Sequence, residues 1–493
     1  MKANQILSEN KAWPFLDKLS NLLSGPGTRA YLVGGWVRDT LLGRDTADID
    51  IAIAADAFEV ASVIAGALGG TFVPLDSENR IARVVLPGKD GQANYQVDFS
   101  TYNSSIESDL ARRDFTINAM AIRLGKADQQ SDTILDPFGG QRDLQNRILR
   151  VVQQDAFTSD ALRLLRAVRL AAELDFHIDK QTEGLIGQQP GLISNIAGER
   201  VREELMRILA VTGKWLDYMD ELNLLTAVFP ELAIAKGVEQ PKEHHWNVFE
   251  HSLRSVSAVD FVLGQGEWEY ADKSALSGVP WSDALAGHFG LEVSYGSTRR
   301  TLLKLAALLH DVSKPQTKAL DANGRTRFLG HALEGAAAVV SILERLRFSV
   351  REIKLVETEV LHHLRPTQMS PSGLPTNRAI YRYFRDTGET GIDILFLSMA
   401  DHLATRGPDL NVDGWQEHCR LTGYVLNKRF EQEKIVNPPK LIDGYDIINI
   451  FRMTPGRDVG ELLEIVREAQ ASGEITTREE ALSFVERLKK NAP

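Results

Sequence analysis

The stretch YLVGGWVRDTLLGRDTADIDIAI, residues 31–53, decides how the rest of the chain is read. Side chains two apart on a strand share a face. In DIDIAI this sets Asp48 and Asp50 side by side and turns Ile49, Ile51 and Ile53 the other way, into a core. Neighbouring carboxylates repel where water is scarce, so the pattern calls for a cation. Oxygen ligands suit Mg²⁺, which takes one or two carboxylates together with substrate phosphates. Two such ions clamp the attacking and leaving oxygens of a phosphoryl or nucleotidyl transfer. Just upstream, residues 30–33 read as an apolar strand ended by Gly34 and Gly35, and residues 36–42 as a short helix. Glycines let a backbone approach a triphosphate, and helix-start N–H groups point at anions. Arg38 adds charge-assisted hydrogen bonds to phosphate. A plain strand–turn–helix accounts for the glycines, but not for GGxVRD followed about ten residues later by DxD on an apolar strand.

GGWVRD with DID resembles motif A of the class II tRNA nucleotidyltransferase and bacterial poly(A) polymerase family. The remaining stretches are read beside that resemblance. Residues 56–68 have helical apolar spacing and stop at Gly69-Gly70; residues 71–73, 81–86 and 95–99 read as strands, with turn-rich residues 87–91 between the last two. Asp98 lies between Val97 and Phe99 on one of these strands. The resemblance makes it a third carboxylate for Asp48 and Asp50. In RRDFTINAM, residues 112–120, Asp114 is placed to cap a following helix, and two arginines before a cap suit phosphate or ribose. The match to the family's ribose motif implies that Arg113 and Asp114 bind the ribose, with Asn118 in the same pocket. DPFGG, residues 136–140, resembles the next motif and reads as a strand-to-helix turn.

Beyond residue 150 the pattern turns helical. Residues 160–174 are rich in helix formers, with Leu162, Leu165, Val168 and Ala172 as the inward stripe and Asp160, Arg163, Arg166 and Arg169 on another row. A salt-bridged outer face explains such a row. The resemblance gives it a sharper role: an EDxxR motif in which Asp160 and Arg163 read the base edge in place of a template, with Arg166 and Arg169 beside them. Ser159 stands where the family has Glu. Residues 194–209 resemble a supporting helix.

A second constellation follows: His251, His310-Asp311, His331, His362-His363 and Asp401. Imidazoles and carboxylates ligate first-row divalent metals. The order H…HD…H…H…D resembles the HD phosphohydrolase superfamily. That implies one metal held by His251, His310, Asp311 and Asp401, with His331 and His362 for a second metal or a phosphate and Lys314 on phosphate. Ni²⁺, Mn²⁺ or Co²⁺ suit such ligands. The glycine common in HDxGK is Ser313 here. Residues 264–297 form an insertion with no assigned role. Residues 441–488 read as a small helical unit.

The chain has 493 residues, 43% hydrophobic and 25% charged, which indicates several domains of ordinary soluble composition. The single Cys419 excludes an internal disulfide framework. No signal peptide or membrane-length apolar run is evident, so a cytoplasmic protein is expected. A net charge of −11 excludes a uniformly basic RNA coat and leaves room for a local patch.

The expected fold is α+β. A nucleotidyltransferase head with a mixed sheet spans residues 1–150, a helical neck 151–235, an all-α HD domain 236–420 and a C-terminal helical body segment 421–493. The expected activity is template-independent addition of CCA to the 3′ end of tRNA from CTP and ATP with Mg²⁺, plus a phosphohydrolase site. Rivals are a poly(A) polymerase, an enzyme adding only CC or only A, and an HD phosphatase or 2′,3′-cyclic phosphodiesterase with an RNA-binding front. Poly(A) polymerases carry a GRRFRL-like segment that SENRIARV, residues 77–84, does not match. The oligomeric state is left open.

Overall fold

The computed structural model describes residues 13–24, 29–87, 95–124, 133–264, 266–270, 277–369 and 373–491. The chain divides into two compact units, residues 1–196 and 197–493.

The first unit is built on a six-stranded mixed sheet of order β3-β4-β5-β2-β1-β6. The strands are β1 (Ala30–Val33), β2 (Asp48–Ile53), β3 (Thr71–Asp76), β4 (Ile81–Leu86), β5 (Tyr95–Thr101) and β6 (Ala121–Leu124). β2 runs parallel to β5, and β1 is antiparallel to both β2 and β6. The alternation in DIDIAI holds: Ile49, Ile51 and Ile53 are buried with Leu32, Val84, Val97 and Phe99 in one cluster. Helices α1 (Trp13–Leu23) and α3 (Ala57–Leu68) contribute Leu16, Leu19, Ala61 and Ile64 to that cluster. Asp56 caps α3, accepting from the N–H groups of Phe58 and Glu59, and Gly69 ends it in the left-handed region at φ +69°. Helix α2 (Gly34–Leu41) starts two residues earlier than its sequence suggests.

Residues 112–118 differ from expectation. Thr116–Asn118 form one 3₁₀ turn whose cap position is Phe115, and Asp114 does not cap it. Its carboxylate accepts from the Phe115 N–H instead. Residues 160–162 likewise lie outside the helix expected there; the helix is Arg163–Leu174, with Asp160 in an extended conformation. Its stripe of Leu162, Leu165, Val168 and Ala172 is buried as the spacing requires.

The second unit is mostly helical. The helices Val248–Val262, Arg299–Leu309, His331–Arg345, Val350–His362 and Thr390–Arg406 pack on one another, with short hairpins at 292–298 and 318–328. Part of the 264–297 insertion lies outside the described residues; the remainder includes the helix Asp283–Gly290. Three further helices, Gly444–Phe451, Arg457–Ala471 and Arg478–Asn491, close on a small core of Ile447, Val466, Ala469 and Val485. The helix Asn377–Thr387 is bound to this unit by Tyr381 Oη to Glu464 at 2.9 Å and Arg382 Nε to Glu468 at 2.8 Å. Among the described residues, no helix is long and apolar enough to cross a membrane.

Candidate active sites

The first site lies where β1 ends. Sheet register pairs Val33 with Asp50 and Asp50 with Asp98, so the turn at Gly34 and two carboxylates meet in neighbouring strands. Gly34 has φ +69°, and a Cβ there would stand 2.6 Å from Asp50 Oδ2 and 2.9 Å from Arg113 Nη1. Burial pushes the Asp50 carboxyl above its usual value, and the charges of Asp98 and Asp48 add to that; Arg113 and the Gly35 N–H oppose it. A buried carboxylate crowded by two others fits a bound cation.

Asp98 reaches this group but is not a free third ligand. Arg83 holds both its oxygens, Nε to Oδ1 at 2.7 Å and Nη2 to Oδ2 at 2.8 Å. Sequence reasoning missed Arg83, because only the β4–β5 register sets it opposite Asp98. Arg38, expected on phosphate, forks onto Asp39 at 2.8 and 2.7 Å and donates from Nη1 to Asn118 Oδ1 at 2.9 Å. Arg113 pairs with Asp109 at 3.1 Å.

Residues 114–118 are buried, while Arg112 is exposed and Arg113 half-buried. Asp114 Oδ1 accepts from Asn118 Nδ2 at 3.1 Å, and Arg166 Nη1 donates to Asp114 Oδ2 at 3.3 Å. Burial pushes Asp114 up, but Arg166, Asn118 and the Phe115 N–H outweigh it and hold the carboxyl below its usual value. The DPFGG turn buttresses this segment: Asp136 accepts from the N–H groups of Gly140 and Gln141 at 2.6 and 2.9 Å, and a Cβ on Gly140 would meet the Thr116 carbonyl at 2.2 Å. Arg163 donates to the carbonyls of Ala156 and Arg112 at 3.3 and 2.7 Å, and Arg169 pairs with Glu173 at 3.2 Å. Ser159 Oγ donates to the Asp155 carbonyl.

The second site is tighter. Among the described residues, two groups of metal-ligand type have atoms within 4.8 Å of one another: His251, His310 and Asp401, and Asp311, His331 and His363. Asp311, a member of the second group, turns one oxygen toward each. Its Oδ2 is 3.4 Å from His251 Nε2 and 3.2 Å from His310 Nε2, while its Oδ1 is 3.4 Å from His331 Nε2 and 3.9 Å from His363 Nε2. The ring Nδ1 atoms of His310, His331 and His363 lie 2.9, 2.7 and 2.7 Å from the carbonyls of Ala307, Phe328 and Val360. That contact keeps a proton on each Nδ1 and turns the Nε2 atoms toward one another, the orientation a metal needs. Neither Asp311 oxygen has a directed hydrogen bond, although Lys314 Nζ is 2.6 Å from Oδ2. Such a donor set fits a divalent metal.

One expected ligand is corrected. His363, not His362, enters the cluster; His362 is half-buried with Arg365, Asp386 and Lys354 as its charged neighbours. The signal was present: Val356, Val360 and His363 follow i, i+4, i+7, the buried face of that helix. His244 was also missed. It lines the same cavity of about 550 Å³ with Lys314, Arg327 and Arg406. Ser313 has φ −97°, open to any residue, so the missing glycine brings no strain.

Family models match three stretches: "Poly A polymerase head domain" over residues 30–150, "Probable RNA and SrmB-binding site of polymerase A" over 175–235, and "HD domain" over 283–406. The chain is 34% identical to an A-adding tRNA nucleotidyltransferase of Deinococcus radiodurans, covering 94% of this chain and 96% of that one. It is 30% identical to a CC-adding tRNA nucleotidyltransferase of Geobacter sulfurreducens, over 97% and 96%. Its fold is similar to that of the Thermotoga maritima CCA-adding enzyme complexed with tRNA, with a TM-score of 0.63 at 23% identity over 98% and 99% of the two chains. The chain belongs to the class II tRNA nucleotidyltransferase and bacterial poly(A) polymerase family, with an HD domain in its second half.

Proposed function

We propose that this protein adds nucleotides to the 3′ end of tRNA, building CCA from CTP and ATP without a nucleic-acid template. The observation that carries this is the close seating of Asp50 against Gly34, with Asp48 two residues away on the same strand. Asp48 and Asp50 are the residues that would hold Mg²⁺, which when bound neutralises the triphosphate and lowers the pKa of the attacking hydroxyl. Gly34 and Gly35 admit the triphosphate. Arg113 balances the charge of Asp50, Asp114 and Asn118 orient the ribose, and Asp160 and Arg163 face the base. Asp98 and Arg38 act by bracing Arg83 and Asn118. Catalysis of this kind is mostly positioning and electrostatics. A tRNA substrate goes with a cytoplasmic protein. Incubation with tRNA lacking its last three nucleotides tests the reading: labelled CTP and ATP together must give three added nucleotides.

A narrower reading has its own support. Relatives aligned along nearly the whole chain are named for adding A or for adding CC. If CTP alone extends tRNA ending before CCA and ATP adds nothing to the product, the protein is of the CC-adding kind. If ATP extends only tRNA already ending in CC, it is of the A-adding kind.

The HD cluster supports a second, separate hydrolysis of a phosphomonoester or cyclic phosphate. His251, His310, Asp311 and Asp401 are the residues that would hold one metal, and Asp311, His331 and His363 a second, with Ni²⁺, Mn²⁺ or Co²⁺ as candidates. Lys314, Arg327 and Arg406 would attract the phosphate. Phosphatase and 2′,3′-cyclic phosphodiesterase assays with each metal in turn test it; activity unchanged by Asp311→Ala would refute it.

A further inference from the structure

Arg166 has a protein partner where a nucleotide contact was expected. Its Nη1 donates to Asp114 Oδ2 at 3.3 Å. The other oxygen of Asp114 accepts from the Phe115 N–H at 2.8 Å and from Asn118 Nδ2 at 3.1 Å. Asn118 Oδ1 in turn accepts from Arg38 Nη1 at 2.9 Å. One turn before Arg166, Arg163 donates to the Arg112 carbonyl at 2.7 Å. Residues 112–118 are thus gripped from two sides, by the helix Arg163–Leu174 and by α2. Asp114 and Asn118 are each 8% exposed, so their polar atoms have little recourse to water.

An ionised carboxylate offers about four acceptor directions. Three donors occupy Asp114, which leaves one direction for a sugar hydroxyl. Where it points depends on where Oδ2 is held. We infer that Arg166 is a positioning residue for sugar selection: it aims Asp114 at the ribose 2′-hydroxyl and couples that choice to the helix that presents Arg163 to the base. This rests on the proposed nucleotidyl transfer for its substrate class, but it concerns binding and is tested by binding.

Titration calorimetry with Mg²⁺ and either CTP or dCTP, on the full-length protein, gives the ribose preference as a ratio of Kd values. Arg166→Met keeps the aliphatic stem and removes every donor. The ratio should fall about tenfold, through weaker CTP binding with dCTP unchanged, the loss expected for one misdirected charge-assisted hydrogen bond. Arg166→Lys should recover part of it. In an Asp114→Asn background, Arg166→Met should change the ratio less than about twofold, because the residue it acts through is already altered. Equal weakening of CTP and dCTP, or additive effects in the double variant, would overturn the inference, since both mark direct contact with the phosphates or base. If Arg166→Met unfolds in a thermal melt, Arg166→Lys carries the comparison, and a ratio equal to wild type then overturns it. Failure of nucleotide addition with the ratio behaving as stated would reject the transfer reading and leave the inference intact.

Discussion

Gly34 and Asp50 fit together because Gly34 has no side chain: a Cβ there would be 2.6 Å from Asp50 Oδ2, closer than such atoms ever pack. Gly34→Ala must therefore displace the carboxylate and hold alanine at φ +69°. The backbone term alone is about 1–2 kcal/mol. Nucleotide addition should fall by more than about tenfold, and the melting temperature by a few degrees. At Gly35 a Cβ would find Arg38 Nη2 at 3.5 Å, an ordinary contact, so Gly35→Ala should melt like wild type. Equal melting of both variants would show that the Gly34 turn is not under the constraint described.

The two sites should fail independently. Asp50→Ala is expected to lower nucleotide addition by about a hundredfold or more while leaving phosphoester hydrolysis near wild type. Asp311→Ala should do the reverse. Parallel assays of both activities on both variants check this; loss of both activities in either variant would contradict separate sites.

The neighbouring histidines give a sharp contrast. His363→Ala should lower the bound metal per chain, measured by elemental analysis after dialysis against Ni²⁺ or Mn²⁺, and lower hydrolysis with it. His362→Ala should leave both near wild type, because His362 lies beside Arg365 and Asp386 rather than in the cluster. The opposite pattern would mean that the helix phase is wrong.

These cases show what one sequence carries. The DIDIAI alternation fixed which side of the strand the carboxylates take, since a strand has only two faces. The Gly69 stop was equally legible, because it acts within a few residues. The pairing of Arg83 with Asp98 was not, because it needs the register of two strands. The contact of Arg38 with Asn118 was hidden for a related reason: the two residues are 80 apart in the chain, and only the fold brings them together. The resemblance points to His362, whereas the buried spacing of Val356 and Val360 points to His363.

Metal uptake at the HD cluster should depend on pH. Burial alone pushes His310 down, but the charges of Asp311 and Asp401 outweigh it and hold the imidazole above its usual value. Without metal, His310 therefore keeps a proton past the pH at which a free histidine loses one. His363 is pushed down to about 4, by burial first and then by His310, and is already neutral there. Binding must expel the His310 proton. Metal affinity should rise as pH increases through and above about 6.5. Calorimetry in buffers of different ionisation enthalpy should report proton release on binding near pH 7. Binding with no proton released would contradict this charge arrangement.

The most direct test of the central claim is nucleotide addition to tRNA lacking its 3′-terminal CCA, with CTP and ATP supplied singly and together beside an Asp48→Ala control. The account predicts discrete products, at most three nucleotides longer, that disappear in the Asp48→Ala variant. A ladder of many adenylates, or extension that survives loss of Asp48, would contradict it.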